Sequence, residues 1–254
     1  YNKNFNQLSF AVNKNKKLET SVLKNADCVL TVSNFLKNEF SKKSKRVEVI
    51  TNGFDSEVIN ESEISLDKKF SISYIGLLPK QSIPSKLFKV LNEICKEDLV
   101  FKNDLKLNFV GDISNDVKAD LVNFDLESNS DFFGYVAHQK AIEFQQKSQV
   151  LLLLIPNVEK SEGILTGKLF EYLTSKRPIL AIGPEKGDLA EILKATNSGK
   201  VFNFENEKDL KIEIKRLYKE YKLGSLHVNS NNIEKYHRKN LTMELAGIVK
   251  SLLS

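Results

Sequence analysis

The stretch from Gly163 to Gly183, GILTGKLFEYLTSKRPILAIG, decides the fold of this 254-residue chain. It opens as a flexible approach loop with Gly163 and Gly167, then becomes a helix carrying Lys168 and Glu171 near its start. Lys176–Arg177–Pro178 breaks that helix, since proline cannot continue it. Ile179 to Ile182 is a short apolar run that reads as a buried strand. Just upstream, Gln149 to Ile155 (QVLLLLI) is a second strand, too short for a helix and bounded by Pro156. Strand, loop, helix start and strand is the order that brings a phosphate-bearing ligand to the carboxyl edge of a parallel sheet. A lysine in the first helical turn and a carboxylate three residues later suit a sugar nucleotide. The cation meets the diphosphate and the carboxylate meets the ribose hydroxyls.

The alternation continues on both sides of this stretch. Phe70 to Ile75 reads as a strand ending in Gly76, Leu87 to Ile94 as the apolar part of a helix, and Leu105 to Val110 as a strand ending in Gly111. Val117 to Leu126 is weakly helical, Asp131 to Val136 is a strand around Gly134, and Gln139 to Lys147 is a helix. Past Gly183 come a helix from Asp188 to Lys194, a strand from Val201 to Phe204 and a charged helix from Glu207 to Tyr221. Such alternation predicts an α/β fold, with a Rossmann-like parallel sheet covered by helices on both faces. Residues 70–225 make a domain of ordinary size. Residues 55–69 are polar, acidic and poorly periodic, and read as a linker. Earlier in the chain, Leu18 to Lys24 and Asn34 to Phe40 read as helices, the second capped by Ser33. Cys28 to Val32 and Val47 to Ile50 read as strands. The tail from Ile233 to Leu253 places Leu241, Leu245, Val249 and Leu252 at helical spacing, and reads as one amphipathic helix.

Composition narrows the function classes. The chain is 41% hydrophobic and 28% charged, which is globular rather than disordered. Its 38 basic residues are offset by 33 acidic ones, so the net charge of +5 lacks the one-sidedness of a nucleic-acid-binding surface. The cluster Lys42, Lys43, Lys45 and Arg46 reads as a solvated loop before it reads as an anionic-surface contact. The longest apolar run, Val150 to Ile155, is far shorter than the roughly 20 residues that span a bilayer. Cys28 and Cys95 read as free buried thiols of a reducing compartment. His138, His227 and His237 are too scattered for a metal site, and neither an Asp-x-Asp nor a G-x-G-x-x-G string occurs. With Tyr1 first and Met243 the one methionine, the expectation is a piece of a longer product.

Five strings, in this order and spacing, resemble the family-4 retaining glycosyltransferases of the GT-B fold. Ala26 to Ser33 (ADCVLTVS) and Val49 to Asp55 (VITNGFD) are similar to the family's domain-junction signatures. Ser73 to Gly76 (SYIG) resembles the first strand of the donor domain, Phe133 to Ala137 (FGYVA) its base-side strand and turn, and Gly163 to Pro178 its diphosphate and ribose segment. The resemblance covers nearly the whole chain. It implies that 1–54 are the tail of an acceptor-side domain, 70–225 the donor-binding domain and 226–254 a helix crossing back toward the first domain.

The same resemblance implies roles. Lys168 contacts the leaving diphosphate, with Thr166 and Gly167 adding helix-terminal amides, and Glu171 holds the ribose hydroxyls. Gly76 ends the first strand beside the phosphates. Phe133, Gly134, Tyr135 and Val136 line the base, Val136 through its backbone. Two positions depart from the pattern. Many members carry a sugar-contacting glutamate eight positions before the ribose one; that position is Gly163, and Glu162 beside it is the nearest substitute. Arginine often follows the strand-ending glycine; here Leu77 follows, which leaves Lys80, ahead of Lys86, as the second phosphate contact.

The plainer readings are an exposed ion pair for Lys168 and Glu171, a solvated loop lysine for Lys80 and a core strand and turn for 133–136. The expected activity is metal-independent transfer of a sugar, with retention, from a UDP- or GDP-linked donor and with no other cofactor. Expected partners are that nucleotide sugar and a glycan or lipid-linked acceptor, in the cytoplasm with a peripheral contact at the membrane, and no nucleic acid. Two alternatives remain: a sugar-nucleotide 2-epimerase of the same architecture, and a non-catalytic nucleotide-sugar-binding module.

Overall fold

The computed structural model describes residues 8–55 and 65–253. Most of the linker expected at 55–69 lies outside the described residues. The chain divides into two compact units, 1–51 with 239–254, and 52–238.

In the first unit, α1 (Ser9–Asn25) precedes β1 (Val29–Thr31), α2 (Asn34–Phe40) and β2 (Val47–Val49). The sequence reading began α1 at Leu18. It starts a helical turn or more earlier because the polar Asn/Lys-rich segment continues the helix outward, and only Leu23 on it is buried. Ser33 caps α2 as expected, its hydroxyl accepting from Leu36 N at 3.3 Å. β1 and β2 form a two-stranded parallel sheet with three residue pairs, Val29 with Val47 through Thr31 with Val49.

The second unit is built on six parallel strands. In chain order they are β3 (Phe70–Ile75), β4 (Leu105–Val110), β5 (Ser130–Gly134), β6 (Val150–Leu154), β7 (Ile179–Ile182) and β8 (Gly199–Phe202). They lie in the sheet in the order β5-β4-β3-β6-β7-β8. The helices that connect and follow them are α3 (Ser85–Glu97), α4 (Leu99–Asp104), α5 (Asn115–Asn123), α6 (His138–Lys147), α7 (Gly167–Thr174), α8 (Asp188–Thr196) and α9 (Glu207–Lys222).

Alternate strand residues feed two cores, as the two-residue period of a strand requires. Phe70, Ile72, Leu107, Phe109, Leu152 and Leu180 face one layer with Leu87 and Leu91 of α3 and Ile214 and Leu217 of α9. Ile75, Val110, Leu151, Leu153, Ile179 and Ala181 face the other with Leu169 and Phe170 of α7 and Leu193 of α8. β3, β6 and β7 are buried throughout, which explains the near-continuous apolar sequence of β6 and β7.

The amino-terminal end of this sheet is polar inside. Ser148 Oγ donates to Ser73 Oγ at 2.6 Å, Asn108 Nδ2 donates to Ser73 Oγ at 3.2 Å, and Ser71 Oγ accepts from Gln149 N at 2.9 Å. Arg177, also buried, donates through Nη2 to Gln149 O, Gln149 Oε1 and Leu226 O at 3.1–3.2 Å. Both cysteines are free thiols, Cys95 buried and Cys28 half-buried.

Two expectations are corrected here. Leu99–Asp104 is a helix that the sequence reading did not assign; Asp98 caps it, accepting from Val100 N and Phe101 N. The tail is not one helix from Ile233. A 3-10 turn, Ile233–Tyr236, is set off by the extended His237 before α10 (Arg238–Leu253). Phe54 makes the break, since its N–H donates to Tyr236 O and its carbonyl accepts from Arg238 N. On α10, Leu241 is buried, whereas Val249 and Leu252 are exposed. No helix among the described residues is long and apolar enough to cross a membrane.

Candidate functional site

Strand order alone marks one place on the second unit. From β3 the chain moves outward through β4 to β5; from β6 it moves the other way through β7 to β8. Between β3 and β6 the connections diverge, leaving a crevice at the carboxyl ends of the strands, where open α/β sheets bind ligands.

Two glycines open this crevice. Gly76 leaves β3 at φ +119° and Gly111 leaves β4 at φ +124°, conformations that side-chain-bearing residues rarely adopt. A Cβ on Gly111 would stand 2.5 Å from Gly76 O. A Cβ on Gly76 would overlap Lys168 Cε and stand 2.7 Å from its Nζ. The backbone is therefore bare where Lys168 crosses.

Lys168 starts on α7, in the layer on one side of the sheet. It passes over Gly76 and ends at Tyr74, whose ring belongs to the other layer. Its Nζ donates to Tyr74 Oη at 2.7 Å and to Leu77 O at 3.5 Å, and lies 4.2 Å from the centre of the Tyr74 ring. Tyr74 Oη donates onward to Leu77 O at 2.7 Å. Burial lowers the Lys168 pKa to about 8, against a smaller upward pull from Glu171. The same burial pushes the Tyr74 phenol above its ordinary range. The exposed ion pair considered for Lys168 and Glu171 does not describe this lysine, whose half-buried side chain is held at Tyr74.

Glu171 lies one turn along α7 and accepts from Gln145 Nε2 at 3.0 Å. Gln145, on α6, is only 2% exposed. The sequence reading missed it, although a glutamine on the inward stripe of a helix beside Ala141 and Phe144 is a usable signal. Tyr172, also on α7, accepts from Ile75 N at 3.1 Å and so ties the helix to the end of β3. Thr166 is the N-cap residue of α7 but makes no side-chain cap; its Oγ1 is buried without a partner among the described residues. Gly167 faces open space.

The remaining expected residues are placed as follows. Gly134 ends β5 at φ +63°, and its carbonyl accepts from Gly111 N at 2.7 Å, which joins this turn to the glycine floor. Tyr135 is 92% exposed, Phe133 packs on Phe144 with ring centres 4.6 Å apart, and Val136 packs against the α7-side core. Glu162 falls in a 3-10 turn, Ser161–Gly163, whose backbone presses on Gly187 at the start of α8: a Cβ there would be 2.7 Å from Glu162 O. Lys80 is exposed and paired with Asp116 at 2.7 Å, and Lys86 is paired with Glu205 and Glu207. Exposed pairs of this kind are screened by solvent and contribute little, so a competing anion can separate them. The structure brings Lys168 and Gly76 into contact and holds Glu171 one turn on. It does not bring Lys80 into that contact.

No family model matches the sequence, and no curated protein matches it. Solved structures do match. The fold is that of the GT-B glycosyltransferases, an α/β unit with a six-stranded parallel sheet flanked by helices. Sucrose-phosphate synthase from Thermosynechococcus elongatus superposes with a TM-score of 0.74 at 14% identity, over 95% of this chain and 62% of that one. A glycosyltransferase from Rickettsia africae gives 0.72 at 16% identity, over 95% and 68%. HepE from Anabaena, in complex with UDP, gives 0.75 at 14% identity, over 99% and 70%. The chain thus spans 62–70% of the length of these structures. At such identities the likeness is one of fold.

Proposed function

We propose that this chain binds a nucleotide sugar and belongs to a metal-independent, retaining glycosyltransferase of the family-4 type, which transfers a hexose to a glycan or lipid-linked acceptor. The observation that carries the reading is Lys168 crossing bare backbone at Gly76, at the divergence of the strand order. HepE supports it in kind, having been solved with UDP and with UDP-glucose. In this reading the diphosphate lies over Gly76 and the start of α7, where a cation and helix-terminal amides meet negative charge. As the glycosidic bond breaks, charge builds on the departing diphosphate, and Lys168 is already in place to stabilise it. Glu171, held by Gln145, accepts from the ribose hydroxyls. Phe133, Gly134, Tyr135 and the Val136 backbone take the base, and Glu162 is the candidate contact to the sugar. The donor is the only small molecule required. The setting is the cytoplasm, with a peripheral contact at the membrane where the acceptor is lipid-linked.

The test is thermal unfolding of the 254-residue chain with UDP or GDP. A site filled to about 100 times its dissociation constant stabilises by about 2.7 kcal/mol, so a clear rise in Tm is expected with one of the two. Lys168→Ala should keep the fold and lose most of the rise. No shift with either nucleotide at millimolar concentration overturns the reading. The Lys80–Asp116 pair favours a second reading, a non-catalytic binding module, because it engages the candidate second phosphate cation. Release of UDP from UDP-glucose, measured with and without Asp116→Asn, separates the two.

A further inference from the structure

Lys168 is placed with more care than a loose phosphate-binding lysine requires. Its ammonium is met twice by one side chain, Tyr74: by the hydroxyl at 2.7 Å and by the ring face at 4.2 Å. Tyr74 is itself fixed. It is 3% exposed, and its hydroxyl proton is committed to Leu77 O. The hydroxyl therefore has only its lone pairs to offer, and these point to a cation. A valine or leucine at this strand position would fill the same core and hold nothing.

We infer that Tyr74 is the positioning residue of Lys168: in the ligand-free protein its ring and hydroxyl hold the ammonium where the side chain crosses Gly76, and an arriving diphosphate draws it off this dock toward the crevice. The inference rests on the proposed nucleotide site and adds to it a resting state and a proton linkage. The titratable groups facing Lys168 are Glu171 on its own helix and Tyr74 on β3. Tyr172, on the same helix, has its hydroxyl engaged by Ile75 N. One carboxylate does not offset the burial, so the docked lysine releases its proton at about pH 8 rather than 10.5. A diphosphate restores negative charge beside it and raises the midpoint again. Between those two midpoints, binding takes up a proton, and affinity falls as pH rises above about 8.

The experiment is an NMR titration of lysine side chains, labelled at Cε, in the ligand-free 254-residue chain, with Lys168 assigned by its loss in Lys168→Arg. The expected result is a midpoint near 8 for Lys168 in the parent protein. In Tyr74→Phe, which keeps the ring and removes the anchor, the midpoint should move up toward 10.5 as the ammonium escapes to solvent. Addition of UDP or GDP to the parent should raise it as well. A parent midpoint at the ordinary lysine value, or one that Tyr74→Phe leaves in place, overturns the docking inference whatever the nucleotides do. If Tyr74→Phe shifts the midpoint but neither nucleotide does, the dock exists without serving a phosphate. That result overturns the positioning role through the failure of the nucleotide-site reading itself, so the two failures are told apart.

Discussion

Gly76 and Gly111 are two glycines with nearly the same dihedral and different reasons for being glycine. At Gly111 an added Cβ meets backbone, Gly76 O at 2.5 Å and Gly76 C at 2.8 Å, which cannot yield without moving β3. At Gly76 it meets the flexible end of Lys168, which can swing away. Gly111→Ala should therefore lose about 2–5 kcal/mol of stability from strain and overlap together. Gly76→Ala should lose about 1–3 kcal/mol from its dihedral alone. It should nonetheless abolish the nucleotide-induced rise in Tm, because the lysine's path is blocked. Urea unfolding with and without UDP separates the two effects; a Gly76→Ala protein that keeps its UDP-induced stabilisation would show that Lys168 does not use the gap. The sequence reading marked Gly76 as the end of a strand, since a glycine closing an apolar run is a local signal. The partner of that glycine was invisible, because Lys168 lies 92 residues further on and crosses between layers. Tyr74 escaped for the same reason: in sequence it is one more apolar position of a buried strand.

The elements of the sheet were largely legible because parallel strands buried on both faces are written as short apolar runs, and β6 and β7 need little else to be recognised. What failed was local and had local causes. α4 is six residues long and runs straight into β4, so no loop composition marks it. The tail's apolar spacing survives across His237, so periodicity reads through a break that Phe54 imposes from far away in sequence. Arg177 was read as part of a helix breaker and turns out to be a tie between elements. Its Nη2 reaches the residue preceding β6 and the segment after α9, and three oxygens depend on it. Arg177→Met leaves those buried acceptors without a donor and should cost about 2–4 kcal/mol, with UDP binding kept by the folded fraction. Chemical denaturation measures the loss. A variant as stable as the parent would mean that water replaces the guanidinium.

Of the whole molecule, the sequence conveyed the α/β class and the alternation over 70–225. The composition of the two units was not legible, because the first is assembled from the two ends of the chain. Within it, Arg46 donates to Ser251 Oγ at 2.9 Å, a contact spanning 205 residues of sequence. The ladder between β1 and β2 has a further consequence. Among the described residues this sheet has two strands and three residue pairs, with Leu30 and Val32 exposed, and so small a ladder contributes little cooperativity of its own. β3, by contrast, has a strand on either side and is buried along its length. Amide hydrogen exchange should therefore proceed in two tiers. The amides of β1 and β2 should exchange through partial openings, many-fold faster than those of β3, β4, β6 and β7, which wait for global unfolding. A single common exchange rate for both sheets would instead mean that the two units open as one. If the tiers are seen, the inner strands carry the thermodynamic stability of the protein, while, of the two sheets, the β1–β2 pair opens first to proteases.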